Sequence, residues 1–194
     1  MNAADKPLHI FTIGHSSLSF EDFLSLLKQF DIRIIADIRR YPGSRKFPHF
    51  NKNKLEALLA AENIDYLWFE NLGGRRHTAQ TGESANAGLK SAGFRSYADH
   101  MLTDEFNKTL HRLLSIAAGK PLAIMCAEKL YWKCHRRLLS DFLTANGVLV
   151  EHIIAPDRTA LHRLTPGAVV SEAGTVTYPS PAPQRPDRKL LFDS

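Results

Sequence analysis

Apolar and polar residues follow two different periods along this chain. Residues 8–13 form an apolar run of strand length, broken by Gly14-His15-Ser16. From Ser19 the period becomes helical, with Phe20, Phe23, Leu24, Leu27 and Phe30 on one face. Ser19 and Asp22 make a weakened capping box, Asp standing where Glu or Gln is usual. A second strand is predicted over 33–38, a helix over 52–62 with Leu55, Leu58 and Leu59 inward, and a third strand over 64–69. Residues 70–91 carry Gly73, Gly74, Gly82 and Gly88 beside Arg75, Arg76 and His77. They read as a long irregular loop, a type that is often functional. A short helix is predicted over 94–101. Thr103 caps the next one, which buries Phe106, Leu110, Leu113, Leu114 and Ala117. Residues 121–126 are a short apolar strand, 134–146 a helix closed by Gly147, and 148–153 the last clear strand.

Strands alternating with helices predict an α/β fold. The expected form is a single domain with a mostly parallel sheet of about five strands, flanked by helices and joined by right-handed crossovers. The domain is expected over residues 1–165. Residues 166–194 hold five of the ten prolines and little periodicity. They read as a Pro-rich extended tail, either laid across the domain surface or mobile.

Composition narrows the class. A chain of 194 residues with 44% hydrophobic and 23% charged residues suits one globular domain and excludes wholesale disorder. No apolar run approaches the ~18–20 residues of a membrane span, and the N-terminus lacks the apolar core of a secretion signal. A membrane partner is therefore not expected. Two cysteines, Cys126 and Cys134, are too few for a disulfide scaffold and point to a reducing cytoplasm. The net charge of +5 favours anionic partners. Six basic residues and no acidic one lie between Arg39 and Lys54: Arg39, Arg40, Arg45, Lys46, Lys52 and Lys54. That segment is either a solvated face or a docking surface for phosphate, nucleotide or nucleic acid.

Ligands of open parallel sheets bind beyond the carboxyl ends of the strands. At that edge the sequence sets Gly14, His15 and Ser16, then Asp37 and Arg39, then Asn71, Gly73, Gly74, Arg75 and Arg76, then Cys126 and Glu128. The opposite edge offers Asp31, Asn63, Gly119 and Gly147, which are ordinary turn and cap residues. Cys126 is either a reactive thiolate, activated by a helix N-terminus and by Arg136 and Arg137, or a small buried hydrophobe. Cys134 and His135, in the first turn of the helix expected over 134–146, lean toward its buried stripe. Cys126, Glu128, Cys134 and His135 also have metal-ligand atoms, although Cys-x7-Cys is wide for a structural zinc site. Asp37 either binds a ligand or accepts backbone hydrogen bonds in the following turn. Tyr97 and Asp99 read as helix-surface residues, and Trp68 and Trp132 as core or pocket wall. No Walker A motif, dinucleotide fingerprint or nucleophile elbow is present.

Seven motifs recur together in a known order. They are Thr12-Ile13-Gly14-His15-Ser16; Asp37-Ile38-Arg39 with Pro42-Gly43-Ser44-Arg45; Leu72-Gly73-Gly74-Arg75; Gly93-Phe94 with Tyr97-Ala98-Asp99 and Met101; Met125-Cys126-Ala127-Glu128; Cys134-His135-Arg136; and Val150-Glu151-His152-Ile153. Over about residues 8–155 this series resembles the bacterial and archaeal family named domain of unknown function 488. The resemblance implies an α/β fold and directs attention to these motifs, without supplying a reaction. A fainter likeness to rhodanese-type sulfurtransferases lies in the Asp-Ile-Arg strand end and a later strand leading to a cysteine. The compact glycine- and arginine-rich cysteine loop of rhodaneses is missing.

The leading expectation is a cytoplasmic, thiol-dependent transferase or hydrolase acting on an anionic small molecule or nucleotide-like group. Cys126 would be nucleophile or sulfur carrier, His135 acid/base or thiolate partner, and Cys134 resolving thiol or second ligand. His15, Asp37 and Glu128 complete the candidate catalytic set. Arg39, Arg45, Gly73, Gly74, Arg75 and Arg136 would hold the anion. One alternative is a protein binding a transition metal such as zinc through Cys126, Glu128, Cys134 and His135. The other is a non-catalytic nucleic-acid-binding module using the basic 39–54 segment.

Overall fold

The computed structural model describes residues 7–76 and 84–181. His77 and Gly82 of the expected 70–91 loop, and the end of the Pro-rich tail, lie outside the described residues. The chain runs β1 (His9–Gly14), α1 (Phe20–Gln29), β2 (Ile34–Asp37), α2 (Lys52–Ala60) and β3 (Asp65–Trp68). It continues through α3 (Ala92–Met101), α4 (Asp104–Ala117), β4 (Leu122–Cys126), α5 (Arg136–Ala145) and β5 (Leu149–Ala155). Three short strands follow: β6 (Arg158–Leu161), β7 (Val169–Val170) and β8 (Val176–Thr177). One sheet has the order β3-β2-β4-β1-β5-β6, and β7-β8 form a separate hairpin. The first five strands of the large sheet are parallel. Among the described residues no helix is long and apolar enough to cross a membrane.

The strands bury both faces, because helices cover both. Phe23, Leu26 and Leu27 of α1 and Leu55 and Leu59 of α2 pack on Ile13, Ile35, Ala123 and Met125. Tyr97 and Met101 of α3, Phe106 and Leu110 of α4, and Leu138 and Leu139 of α5 pack on Ile10, Ala36, Ile124 and Val150. Caps fix the helix starts: Ser19, Ser91 and Thr103 side chains accept from the backbone N–H groups of Asp22, Phe94 and Phe106.

Two local expectations change, and for the start of the tail one of two alternatives holds. The sheet has a sixth strand, the antiparallel edge β6, which turns back after Asp157 at φ +54°. Four residues with no inward face leave no hydrophobic period to read. The helix expected from Cys134 begins at Arg136. Cys134 is extended (φ −123°, ψ 151°) and His135 is the cap. The start of the tail lies against the domain, with Val176 and Tyr178 buried. Tyr178 donates its N–H to Asn86 Oδ1 at 3.0 Å and its hydroxyl to Asp141 Oδ2 at 2.6 Å.

Candidate functional site

Two close approaches shape the carboxyl edge. Gly14 ends β1 beside Cys126, which ends β4. A Cβ on Gly14 would lie 1.9 Å from the Glu128 carbonyl oxygen, so only glycine lets the loop after β4 fold over β1. His15 and Ser16 donate their N–H groups to the Cys126 and Ala127 carbonyls, both at 3.0 Å. The loop then makes a 3-10 turn at Tyr131–Lys133 and returns to the sheet edge. That return places Cys134 Sγ 3.0 Å from Cys126 Sγ, both thiols being free and buried.

The two thiols are unequal. Cys126 is drawn down to about 7, chiefly by the hydrogen bond from Cys134; burial opposes this and the Arg136 charge assists it. Cys134 is pushed well up, because it is the partner that keeps its proton and because it is buried. The Arg136 N–H, at the first turn of α5, points to Cys134 Sγ at 3.4 Å. A helix N-terminus of this kind favours negative charge on nearby sulfur.

Arg136 is 1% exposed. Its Nη2 donates to the Glu128 and Lys129 carbonyls at 3.3 Å, while Nε and Nη1 have no partner among the described residues. A buried guanidinium with idle donors stabilises any anion beside it. Its charge lowers the pKa of His15, His135 and His152 as well as that of Cys126.

His135 stands over Gly74, where a Cβ would come within 2.7 Å of its Nδ1. The same nitrogen is 3.4 Å from Cys134 Sγ, and Tyr97 meets the ring edge-on at 4.8 Å. Burial, with the Arg136 charge, takes His135 down to about 4, so the ring is neutral near pH 7. Tyr97, expected on a helix surface, is wholly buried and donates its hydroxyl to the Leu72 carbonyl at 2.9 Å. The helical pattern around it is too weak in sequence to show which face turns inward.

Asp37 and His15 are committed to Arg39. Asp37 is fully buried and accepts from Arg39 Nε at 2.9 Å, Arg39 Nη2 at 2.5 Å and the Tyr66 hydroxyl at 2.6 Å. Burial opposes the Arg39 charge, yet the bonds and charge of Asp37 raise its pKa. His15 donates from Nδ1 to the Ser16 carbonyl at 3.0 Å, which leaves Nε2 to accept from Arg39 Nη1 at 3.2 Å. Burial first, then Arg39, take His15 down to about 3. A neutral acceptor held this way orients the guanidinium.

A cleft of about 610 Å3 opens above these groups. The structure brings His15, Arg39, Gly74, Arg75, Cys126, Glu128, Cys134 and His135 to its wall, and adds Arg40, Tyr41, Ser44 and Lys46. Asp37 and Arg136 stand behind that wall, Gly73 packs against the Arg40 backbone, and Arg45 is exposed on the neighbouring loop. Arg40 and Lys46 were visible in the basic run, but nothing there distinguished them from Arg45. Glu128 is exposed, and its carboxylate accepts from the Leu130 N–H at 3.2 Å. Among the described residues no group of three or more His, Cys, Asp or Glu side chains is placed to hold a metal.

The model of the family described as Domain of unknown function DUF488 matches residues 19–143. The chain belongs to this family. Comparison with curated proteins and with solved structures returned no match. The DUF488 segment carries Arg39, Cys126, Cys134, His135 and Arg136, whereas His15 precedes it, just after β1.

Proposed function

We propose that this DUF488 protein is a thiol-dependent enzyme in which Cys126 attacks an anionic substrate of about nucleotide size. The observation that carries the reading is the Cys126–Cys134 pair, 3.0 Å apart at the wall of a cleft that also presents Arg39, Arg40, Lys46 and Arg75. A thiolate is the nucleophilic form of cysteine, and Cys126 has the neighbours that favour it. Cys134 donates to that thiolate, and Arg136 is its buried countercharge. The cations at the mouth suit a phosphate or carboxylate, and a volume of about 610 Å3 suits a small organic ligand. In the first step Cys126 Sγ bonds to the electrophilic atom, the bond to the leaving group breaks, and the departing group takes a proton from water or Cys134. Two reduced thiols are in keeping with a cytoplasmic site of action.

The test is the rate of iodoacetamide alkylation of Cys126 against pH. A midpoint near 7, absent in Cys126→Ser, is expected. A midpoint at the ordinary thiol value of about 8.5 would overturn the reading.

A further inference from the structure

The second thiol says more about the substrate than the first. If Cys126 carried an acyl, alkyl or phosphoryl group, a neighbouring thiol would have no sulfur–sulfur bond to attack. If Cys126 carried a sulfur-linked group, Cys134 would be placed to displace it. We propose that Cys126 and Cys134 work as a dithiol–disulfide couple, and that the substrate is an anionic disulfide which the site reduces. This rests on the reading of Cys126 as the nucleophile and extends it to the class of bond attacked.

Three observations carry the proposal. The sulfurs are 3.0 Å apart, so the ~2.05 Å bond of a disulfide needs only a small closing movement. Cys126 ends a strand and is held by the sheet, while Cys134 is an extended residue between the 3-10 turn and α5, its backbone bonded locally to the Tyr131 carbonyl and the Arg137 N–H. Most of that movement therefore falls on Cys134. Finally, the Arg136 N–H points at Cys134 Sγ at 3.4 Å and favours its thiolate, and bonding Cys126 to sulfur removes the neighbouring thiolate that holds the Cys134 pKa up. The cleft is far larger than a peroxide needs, and its charged mouth favours a substrate carrying carboxylates.

The electron count closes. The Cys126 thiolate attacks one sulfur of the substrate disulfide, a Cys126 mixed disulfide forms, and the first thiolate leaves. The departing first thiolate takes the Cys134 proton, and Cys134 attacks Cys126 Sγ. The Cys126–Cys134 bond forms, the mixed disulfide breaks, and the second thiolate leaves and is protonated. The substrate gains two electrons and the enzyme dithiol loses two. A dithiol reductant then restores the pair by exchange.

The experiment mixes the reduced full chain with oxidised glutathione, quenches with iodoacetamide, and reads intact mass. Wild type is expected to form the internal disulfide and to retain no glutathione. Cys134→Ser, which keeps a hydrogen-bond donor beside Cys126, is expected to stop at one stable glutathione adduct. Cystamine, a cationic disulfide, is expected to react with wild type roughly tenfold more slowly than oxidised glutathione, and the preference is expected to shrink in Arg75→Gln. Glutathione retained on wild type would overturn the resolving role of Cys134. No adduct on Cys134→Ser, with Cys126 still alkylating at a midpoint near 7, would overturn disulfide chemistry while leaving the thiol enzyme intact. Equal or faster reaction with cystamine would overturn the anionic substrate.

Discussion

The Tyr178 hydroxyl donates to Asp141 Oδ2 at 2.6 Å, tying a residue beyond the DUF488 segment to the helix that follows the site cysteine. Asp141 also accepts from His162 Nε2 at 2.8 Å and from the Thr165 N–H at 2.7 Å. His162 Nδ1 meets His152 Nε2 at 2.9 Å, and His152 Nδ1 meets Thr12 Oγ1 at 2.7 Å. Tyr131, on the loop between the two cysteines, stacks on His152 at 3.5 Å. The segment after the family match thus helps hold the site loop.

Tyr178→Phe keeps the ring and deletes the bond to a buried carboxylate. A loss of about 1.5–3 kcal/mol is expected, the range for hydrogen bonds to charged groups. Urea unfolding of the variant against wild type measures it. A change below about 0.5 kcal/mol would show that the tail contributes packing alone.

Gly14→Ala sets a Cβ against the Glu128 carbonyl and must displace the loop between Cys126 and Cys134. It is expected to destabilise the fold by about 1–3 kcal/mol, as overpacking does. It should also slow Cys126 alkylation at pH 7, because the sulfur–sulfur hydrogen bond that lowers the Cys126 pKa depends on that loop.

Arg136→Met separates charge from stability. Removing a buried guanidinium with idle donors should leave unfolding free energy within about 1 kcal/mol of wild type or raise it. The Cys126 midpoint should nevertheless move upward, because the Arg136 charge that favours the thiolate is gone. An unshifted alkylation profile would remove Arg136 from the account of the thiolate.

His15, His135 and His152 sit near 3, 4 and 3 in the folded chain, burial being the largest cause in each. Their ordinary value is 6.5, so the unfolded chain binds protons first as pH falls. Stability from these groups is complete above about pH 6.5 and is lost between there and pH 3–4. Each contributes a slope of up to about 1.4 kcal/mol per pH unit in that window. Urea midpoints at pH 7.5, 6.5, 5.5 and 4.5 should fall progressively below 6.5, and a flat profile would contradict neutral burial.

Much of the frame was legible from local pattern. The apolar runs predicted over 8–13, 33–38, 64–69 and 121–126 became parallel strands, and residues after them meet at one edge. β6 was not legible, because it is held by backbone pairing and has no buried stripe. The start of α5 was misplaced by two residues. The apolar period of that helix runs on through Cys134 and His135, but the extended backbone of Cys134 stops it. That shift is what brings the Cys134 sulfur to Cys126.

By itself the sequence determined the alternation of strands and helices, the family, and the edge of the sheet where reactive residues collect. Those properties follow from periods and motifs spanning a few to a few dozen residues. Tertiary structure alone decided which of those residues meet. The Cys126–Cys134 approach, the approach of His15 and Tyr66 to the Asp37–Arg39 pair, and the Thr12-His152-His162-Asp141-Tyr178 chain depend on strand order and loop return. Thr12 and His152 are 140 residues apart, and no local period carries information over that distance. Their contact exists because β1 and β5 are neighbours in the sheet, and that pairing is set by how the whole chain buries its apolar faces.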